Sequence, residues 1–383
     1  MPKIIFTVTN DLTYDQRMRR ICTSLAGAGY DVLLVGRKLE NSKALTEMPF
    51  GQKRVRCSFN KGFAFYAEYN LRLFWWLLFK KTDIICAIDL DTILPVFFVT
   101  AFRRKKRVYD AHELFTEQIE IIARPFVHKV WLRIEKFAVP KFIHGYTVNQ
   151  FIADEFKRRY GVDYAIIRNL PVLANTIELQ TPLKTARIVN GEKTSNQQPV
   201  TSNRFIIYQG AVNEGRCFET LIPAMKLVEA TLVICGEGNF FEQVKQLVKE
   251  NGVENKVELK GYVLPADLKK LTPQAHTAVT LFEHTGLNQY YSLGNRFFDY
   301  IMAGVPQVCV DYPEYRGINN IYNVAYLIQD TTVATIATAL NKLLNDDVVH
   351  TYLAENCIEA RKHLHWEQEA NKLVEFYNGL MLP

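Results

Sequence analysis

The opening of the chain constrains the fold most strongly, because a strand, a helix and a second strand follow one another directly. Residues 3–9 alternate and are rich in β-branched side chains, which indicates a buried strand. A polar loop at 10–14 leads into a helix at 15–27, which Gly29 ends, and residues 30–35 form the next apolar run. Such a unit places both strands parallel in one sheet, with helices on its faces. We therefore predict an α/β protein.

The polar loop after this first strand indicates where a ligand binds. In parallel α/β sheets, ligands bind beyond the carboxyl ends of the strands. Asn10, Asp11 and Asp15 follow the first strand, so we predict that they border a cleft. The loop lacks the G-x-G-x-x-G pattern of a dinucleotide site, which argues against a dehydrogenase.

A histidine follows another short strand, at 107–109, in the sequence Asp110-Ala111-His112-Glu113. Its position just past the carboxyl end of that strand places His112 in the cleft. We predict that Asp110 and Glu113 set the tautomer and the orientation of the imidazole. The motif does not continue to H-E-x-x-H, which excludes a zinc protease of that class. The alternative is a histidine that only satisfies its own loop.

The composition divides the chain into two halves of the same α/β kind. A length of 383 residues is sufficient for two domains with complete cores. Residues 173–203 are rich in Thr, Asn, Gln and Lys and poor in large apolar side chains, as expected of a linker. We predict an N-terminal domain at 1–172, a C-terminal domain at 204–365, and a final helix at 366–383 that can cross back to the N-terminal domain.

The second half is organised around the stretch 290–306, YYSLGNRFFDYIMAGVP, which reads as a loop followed by a helix and a turn. Ser292 and its small neighbours precede the helix, and Gly304 ends it. Apolar side chains recur at helical spacing, whereas Asn295 and Asp299, four residues apart, share a polar face.

The start of this helix suits a phosphorylated ligand. It offers free backbone N–H groups and a partial positive charge, whereas a carboxylate one turn further along suits hydroxyl groups such as those of a ribose. The loop at 210–216 adds backbone amides and Arg216, whose guanidinium can bridge two oxygens of a diphosphate. We therefore predict that a nucleotide-sugar diphosphate binds here. The alternative is an amphipathic helix with an ordinary N-cap, together with a surface arginine.

Charge and apolar content limit the partners and the location. The formal net charge of +6 comes in short basic clusters, which suit phosphorylated ligands or anionic lipid headgroups, and we expect no nucleic-acid partner. Seven scattered cysteines without a C-x-x-C pair indicate a reducing compartment. The sequence shows no secretory signal and no apolar run long enough to cross a bilayer. We expect a cytoplasmic protein, attached at most to the inner face of the cytoplasmic membrane.

A helix predicted at 64–81 is rich in aromatic side chains and ends in Lys80 and Lys81. We predict that it packs between the sheet and neighbouring helices. The alternative is that its aromatic and lysine side chains dock on a membrane surface.

Five segments together resemble the family-4 group of GT-B glycosyltransferases, in particular bacterial members that assemble surface polysaccharides. They occur in the order found in the family and cover nearly the whole chain outside the linker: VYDAHELFTE, RFIIYQGAVNEGRCFETLIPAM, LVICGEG, ELKGYV and SLGNRFFDYIMAGVPQV. The resemblance implies two Rossmann-like domains facing each other across a cleft, the C-terminal one binding a nucleotide sugar and the N-terminal one the acceptor. It also implies a retaining, metal-independent transfer without any cofactor, from a UDP- or GDP-sugar to a saccharide or lipid-linked acceptor.

The resemblance also implies roles for individual residues. His112 is expected to approach the donor sugar, Arg216 to contact the diphosphate, and Asp299 to contact the ribose in place of the family's usual glutamate. The expected catalytic residues are His112 and Arg216, the expected donor-binding residues are Gly210, Arg216, Gly261, Tyr262, Val263, Glu283, Ser292, Asn295 and Asp299, and the expected acceptor-binding residues are Asn10 and Asp15.

The sequence departs from the family at a position that bears on activity. The family commonly has a second glutamate eight positions before the ribose carboxylate, where this chain has Tyr291. The side chain of Asp299 is also one methylene shorter than that of a glutamate. Two alternatives to sugar transfer therefore stay open: a nucleotide-sugar epimerase of the same fold, and a catalytically silent sugar-nucleotide binder that scaffolds a membrane assembly.

Overall fold

The computed structural model describes residues 1–13, 15–173 and 204–381, and the chain divides into two compact units. One unit consists of Met1–Asn169, Gly286–Ser292 and Trp366–Pro383. The other consists of Leu170–Thr285 and Leu293–His365. The predicted linker at 173–203 lies almost wholly outside the described residues.

Strands and helices alternate along the described parts of both units. The strands are β1 (Lys3–Thr7), β2 (Asp31–Lys38), β3 (Gly51–Arg56), β4 (Ile84–Ile88), β5 (Lys106–Ala111), β6 (Gly145–Thr147), β7 (Ala165–Ile166), β8 (Phe205–Gln209), β9 (Thr231–Cys235), β10 (Val257–Gly261), β11 (Thr277–Thr280), β12 (Gln307–Val310) and β13 (Ala325–Ile328). The helices are α1 (Gln16–Gly27), α2 (Gly62–Leu78), α3 (Ile93–Arg103), α4 (Ile119–Ile122), α5 (Pro125–Ala138), α6 (Gln150–Tyr160), α7 (Phe218–Ala224), α8 (Phe241–Asn251), α9 (Pro265–Leu271), α10 (Leu287–Tyr290), α11 (Asn295–Ala303), α12 (Pro313–Tyr322), α13 (Val333–Asn345), α14 (Asp347–Ala360) and α15 (Trp366–Met381).

The first unit has a parallel seven-stranded sheet in the order β3-β2-β1-β4-β5-β6-β7. Strand β1 pairs with β2 on one side, where Ile4 lies beside Val32, and with β4 on the other, where Ile4 lies beside Ile84. The chain therefore builds the sheet outward in two directions from the β1–β4 pair. The loops that leave the carboxyl ends at such a reversal are where open α/β sheets bind ligands.

The second unit repeats this plan with a parallel six-stranded sheet in the order β10-β9-β8-β11-β12-β13. The order reverses between β8 and β11, which pair with each other. The inner strands read as nearly continuous apolar runs because both faces of a parallel sheet are covered by helices, whereas the edge strand β10 carries Glu258 and Lys260. The prediction of an α/β protein with two parallel sheets is confirmed.

The final helix packs into the first unit. Its apolar side chains Trp366, Leu373, Tyr377 and Leu380 are each at most 7% exposed and share a core with Phe6 of β1. The rings of Phe6 and Tyr377 lie 6.0 Å apart. The apolar stripe of α15 is therefore buried by the N-terminal sheet and not by the strands that precede it in sequence.

Two elements of the structure are not among those predicted from the sequence. Strand β3 lacks an apolar run because it lies at the edge of its sheet, where charged residues such as Lys53 and Arg54 discourage further strand pairing. The loop expected before α11 contains the short helix α10, and the segment Gly286–Ser292 around it groups with the first unit.

The aromatic helix packs on the core of the first unit and against α3, but this packing covers only part of its apolar surface. Helix α2 buries one apolar face and exposes another, with Phe63 80% exposed and Phe79 77% exposed. Within the described residues, neither this helix nor any other has both the length and the apolar character needed to cross a bilayer.

Candidate active site

The first unit places a buried ion pair beneath the loop that follows β5. Asp110 is fully buried, and its Oδ1 atom accepts a hydrogen bond from Nη2 of Arg17 at 2.8 Å. Arg17 is 5% exposed, and its Nη1 atom donates to the carbonyl oxygen of Ile167 at 3.1 Å. A buried pair is tolerated when the remaining polar atoms also find partners. The second oxygen of Asp110 makes no hydrogen bond to the described residues but lies within ion-pair distance of His112.

His112 lies between two carboxylates. Its Nδ1 atom is 3.3 Å from Oδ2 of Asp89, and its Nε2 atom is 3.2 Å from Oδ2 of Asp110. The backbone N–H of His112 donates to Oδ1 of Asp89 at 2.8 Å, which joins the loop after β5 to the loop after β4. The side chain is 24% exposed, so part of the ring stays accessible to a ligand.

These contacts set the charge of the imidazole. Burial would lower the pKa of His112, but the carboxylates of Asp89 and Asp110 outweigh burial and raise that pKa to about 9. Burial would raise the pKa of Asp110, but Arg17 and His112 hold it below its ordinary value. Burial raises the pKa of Asp89 to about 7, although His112 opposes this shift. The imidazole is therefore a cation at neutral pH, which can donate a proton but cannot accept one.

The expectation that Glu113 orients the imidazole is wrong, because that role falls to Asp89. Glu113 instead accepts a hydrogen bond from the side chain of Gln118. Asp89 follows β4, which pairs with β5 in the sheet. No local spacing in the sequence indicates this partner, since only strand pairing brings the ends of β4 and β5 together.

Asn288, in the segment Gly286–Ser292, holds the other side of the histidine loop. Its Nδ2 atom donates to Oε2 of Glu113 at 2.8 Å. Its Oδ1 atom accepts a hydrogen bond from the backbone N–H of Leu114 at 3.1 Å. One amide therefore contacts the two residues that follow His112.

Tyr291, in the same segment, is engaged by residues of the first unit. Its ring stacks on Phe151, with centroids 5.3 Å apart and an interplanar angle of 6°. Its carbonyl oxygen accepts a hydrogen bond from Nδ2 of Asn149 at 2.7 Å. The next residue, Ser292, donates from its hydroxyl to the carbonyl oxygen of Gln289 at 2.8 Å and does not cap α11.

The two expected acceptor residues hold their own loop. Nδ2 of Asn10 donates to Oδ2 of Asp15 at 2.5 Å. Oδ1 of Asp15 accepts a hydrogen bond from the backbone N–H of Met18 at 2.9 Å and so caps α1. Asn10 is exposed and follows β1, at the reversal of strand order. Contact of these residues with an acceptor stays a prediction.

In the second unit, the loops after β8, β9 and β10 approach one another closely. The backbone N–H of Gly210 donates to the carbonyl oxygen of Cys235 at 2.9 Å, and that of Gly236 donates to Gly261 at 2.8 Å. A Cβ atom on Gly236 would lie 1.8 Å from the carbonyl oxygen of Gly210. The close approach of backbone to backbone explains why glycine follows each of β8 and β9.

Replacing Gly236 by alanine should weaken nucleoside-diphosphate binding at least about tenfold, because the added methyl group forces the loops after β8 and β9 apart. Gly252→Ala is the matched control, since a Cβ atom there meets nothing within 4 Å and only its φ of +64° is unfavourable. The control should cost about 1–2 kcal/mol of unfolding free energy and leave binding unchanged. Titration calorimetry and thermal unfolding separate the two effects, and equal binding by both variants would contradict the loop contact.

Two guanidinium groups lie near one aromatic ring at the end of β11. Cζ of Arg216 is 4.4 Å from the centroid of Phe282, and Cζ of Arg296 is 5.5 Å from it. Arg296 also lies 4.1 Å over the ring of Tyr208 and is only 8% exposed. Its Nη1 atom is buried without a hydrogen-bond partner among the residues that the structure describes. A buried cationic donor without a partner can donate a strong hydrogen bond to an anionic oxygen of a ligand.

Arg296 is a candidate site residue that the sequence analysis does not predict. It stands directly after Asn295 in the stretch singled out above, but a charged side chain is expected to be exposed. Its guanidinium group packs against the rings of Tyr208, which belongs to β8, and Phe282, which follows β11. Only the folded structure brings these two rings together around it.

Asp299 is positioned by the last residue of β8. Its Oδ2 atom accepts a hydrogen bond from Nε2 of Gln209 at 3.0 Å. The backbone N–H of Gln209 donates to the hydroxyl of Tyr300 at 3.0 Å, and its Oε1 atom accepts from the hydroxyl of Thr272 at 2.7 Å. The carboxylate therefore lies one turn inside α11 beside the end of β8, whereas Asn295 is exposed at the helix start.

The remaining expected donor residues border the same group of loops. The backbone N–H of Glu283 donates to the carbonyl oxygen of Gly215 at 3.1 Å, and burial raises the pKa of its carboxyl group. Tyr262 is 52% exposed and presents a ring on which a nucleobase can stack. Val263 is partly buried against a small apolar cluster of the same unit.

Part of the chain is similar in sequence to known glycosyltransferases. Residues 191–364 match the model of a family described as glycosyl transferases group 1. A stretch of 185 residues is 26% identical to the poly(glycerol-phosphate) alpha-glucosyltransferase of Bacillus subtilis, covering 46% of this chain and 26% of that protein. The matched part of the chain therefore spans about a quarter of the length of this curated relative.

Solved structures with the same fold cover the whole chain. Sucrose-phosphate synthase from Thermosynechococcus elongatus is similar with a TM-score of 0.76 at 16% identity, covering 99% of both chains. HepE of Anabaena, in complex with UDP-glucose, is similar with a TM-score of 0.72 at 12% identity, covering 99% of this chain and 100% of that one. At these identities the similarity establishes the fold. The chain therefore has the GT-B fold, and its residues 191–364 are similar to the group 1 glycosyl transferases.

Proposed function

We propose that the chain transfers a sugar, with retention of the anomeric configuration, from a UDP-sugar to a saccharide or lipid-linked acceptor in surface-polysaccharide synthesis. The observation that carries the proposal is the pair of guanidinium groups, Arg216 and Arg296, in the unit that also positions Asp299 at the sheet edge. Preorganised cations stabilise a leaving diphosphate, and a carboxylate binds ribose hydroxyls.

The choice of donor and acceptor has separate support. UDP is favoured over GDP because a HepE structure with the same fold contains UDP-glucose. A polymeric acceptor is favoured because the curated relative is named a poly(glycerol-phosphate) alpha-glucosyltransferase. The GDP-sugar remains the alternative donor.

His112 serves this reaction as a cation. Its ring is protonated at neutral pH, and both of its nitrogen atoms lie near carboxylates, so it cannot serve as a general base. Its role is to orient the donor sugar and to oppose negative charge that develops as the glycosidic bond breaks. The proton of the acceptor hydroxyl then passes to an oxygen of the departing diphosphate.

A panel of nucleotide sugars tests the donor, because a bound donor stabilises the folded state by mass action. A ligand at about 100 times its Kd adds about 2.7 kcal/mol of unfolding free energy, which raises the melting temperature by several degrees. We expect UDP-sugars to give the largest shift. Transfer to a saccharide array without added divalent metal, with the product configuration read by NMR, tests the reaction. No shift with any nucleotide sugar, or an inverted product, would contradict the proposal.

Tyr291 favours a second candidate, the catalytically silent sugar-nucleotide binder. It stands where the family has a glutamate, and its ring and carbonyl group are already engaged by Phe151 and Asn149. Calorimetric binding of UDP without transfer to any acceptor in the array would support this candidate. An epimerase would instead convert the donor in reactions that lack an acceptor.

A further inference from the structure

Helix α2 has two apolar stripes, although a helix needs only one to pack on a core. The buried stripe advances in steps of four residues, whereas the second stripe has one step of eight and two of four and ends at Phe79, the residue after the helix. The buried stripe consists of side chains that are at most 4% exposed, namely Phe65, Tyr69, Leu73 and Leu77. The second stripe consists of large apolar side chains that are 55–80% exposed, namely Phe63, Leu71, Trp75 and Phe79. Core packing therefore does not account for the second stripe.

The neighbouring helices of the first unit continue this exposed stripe. On α3, Phe98 is 48% exposed and Phe102 is 79% exposed. On α5, Phe137 is 43% exposed, and its ring centroid is 6.3 Å from that of Phe98. We call the set Trp75, Phe79, Phe98, Phe102 and Phe137 the aromatic surface.

Arg103 joins the ends of α2 and α3. It follows Phe102, and its Nη1 atom donates to the carbonyl oxygen of Leu77 at 3.1 Å and also to that of Lys80. This bond brings the exposed ends of both helices, which carry Phe79 and Phe102, to the same side of the unit. The exposed rings therefore cluster on three adjoining helices, α2, α3 and α5.

Basic side chains predominate around the aromatic surface. Residues 69–82 and 92–109 contain no Asp or Glu but include Lys80, Lys81 and the run of basic residues 103–107. Lys141 lies 3.9 Å over the ring of Phe137. Lys105 pairs with Asp83 at 3.8 Å, at the margin of this area. Exposed aromatic rings among basic side chains match the boundary of an anionic bilayer, where rings enter the headgroup region and cations meet lipid phosphates.

We propose that the aromatic surface docks the protein on an anionic lipid membrane. Large contiguous apolar patches are uncommon on soluble monomers and mark interaction sites. The excess of basic charge beside large exposed rings matches an anionic bilayer surface and favours a lipid partner. The inference concerns a surface of the first unit and does not depend on the donor site, so it can be tested without nucleotide.

Vesicle sedimentation with the full chain tests this surface. The protein should sediment with phosphatidylcholine vesicles that contain about one third phosphatidylglycerol, and less with phosphatidylcholine alone. Phe79→Ser combined with Phe102→Ser should lower the partition coefficient at least about tenfold, because two exposed rings no longer enter the bilayer. Lys80→Glu combined with Arg104→Glu should lower binding to anionic vesicles and remove its salt dependence.

The matched control changes two equally exposed apolar side chains of the second unit. Ile321 is 71% exposed and Val348 is 80% exposed, so Ile321→Ser combined with Val348→Ser should leave vesicle binding unchanged. All substituted side chains are on the surface, and thermal unfolding verifies that each variant folds. If the aromatic variant does not fold, the charge variant still tests the surface.

Three results would overturn the proposal. They are wild-type protein that stays in the supernatant with anionic vesicles, aromatic variants that bind like wild type, and control variants that lose binding equally. Concentration-dependent association of the wild type without vesicles, abolished by the aromatic substitutions, would assign the surface to a second copy of the chain instead. An aromatic variant that loses vesicle binding but still transfers sugar to a soluble acceptor would show that the surface and the proposed activity are separate.

Discussion

Replacing His112 by alanine should lower kcat about a hundredfold and leave the Kd for UDP unchanged within about twofold. The reason is that the imidazolium is held between Asp89 and Asp110 and is proposed to act on the sugar, whereas the nucleotide is proposed to bind the second unit. Steady-state kinetics give kcat, and titration calorimetry gives the Kd. Exposed His144 is the control, since His144→Ala should change neither quantity.

Asp89→Asn distinguishes a charged role of His112 from a merely structural one. The carboxylate of Asp89 helps to raise the pKa of His112 to about 9, so its removal lowers that pKa. Activity that needs the cation persists in the wild type up to about pH 9 and should fall at lower pH in the variant. Asparagine has nearly the same shape as aspartate, so it is the mildest change at this position, where φ is 50° and ψ is −175°. An unchanged alkaline limb would show that the charge of His112 does not matter.

Replacing Arg216 by alanine should weaken UDP binding about 10- to 100-fold, because a charge-assisted, two-pronged contact with the diphosphate is lost. Turnover should fall as well, since the same cation would stabilise the leaving group. Calorimetry with UDP and with uridine separates the contact of Arg216 with the diphosphate from contacts with the nucleoside. The variant should bind uridine like the wild type, because uridine has no phosphate.

Two further variants sharpen this test. Arg216→Lys keeps the charge but not the planar fork, so its loss of affinity should be intermediate. Lys245→Ala removes another cation of the second unit, which pairs with Glu242 at 2.7 Å on α8, and should leave UDP binding unchanged. Equal affinity of Arg216→Ala and the wild type for UDP would remove Arg216 from the proposed diphosphate site.

The sequence by itself determined the class of fold and the edge of each sheet where chemistry is concentrated. Alternation, helical spacing and the strand–helix–strand opening are local patterns, so they predict parallel sheets without knowledge of any contact. The rule that ligands bind at the carboxyl ends of strands then singled out the loops of His112 and Arg216. The start of α11 was found in the same way, because the signals at helix ends lie within a few residues of one another.

Only the tertiary structure decided which side chains complete those loops. Asp89 contacts His112, which follows another strand, and Arg296 contacts Tyr208 of β8. The segment Gly286–Ser292 is held by Asn149, the N-cap of α6, and by Phe151 of that helix. Strand pairing and side-chain packing create these contacts between residues far apart in the chain. Periodicity likewise showed that α2 is apolar around much of its circumference, but only packing against the sheet determines which apolar face is left exposed.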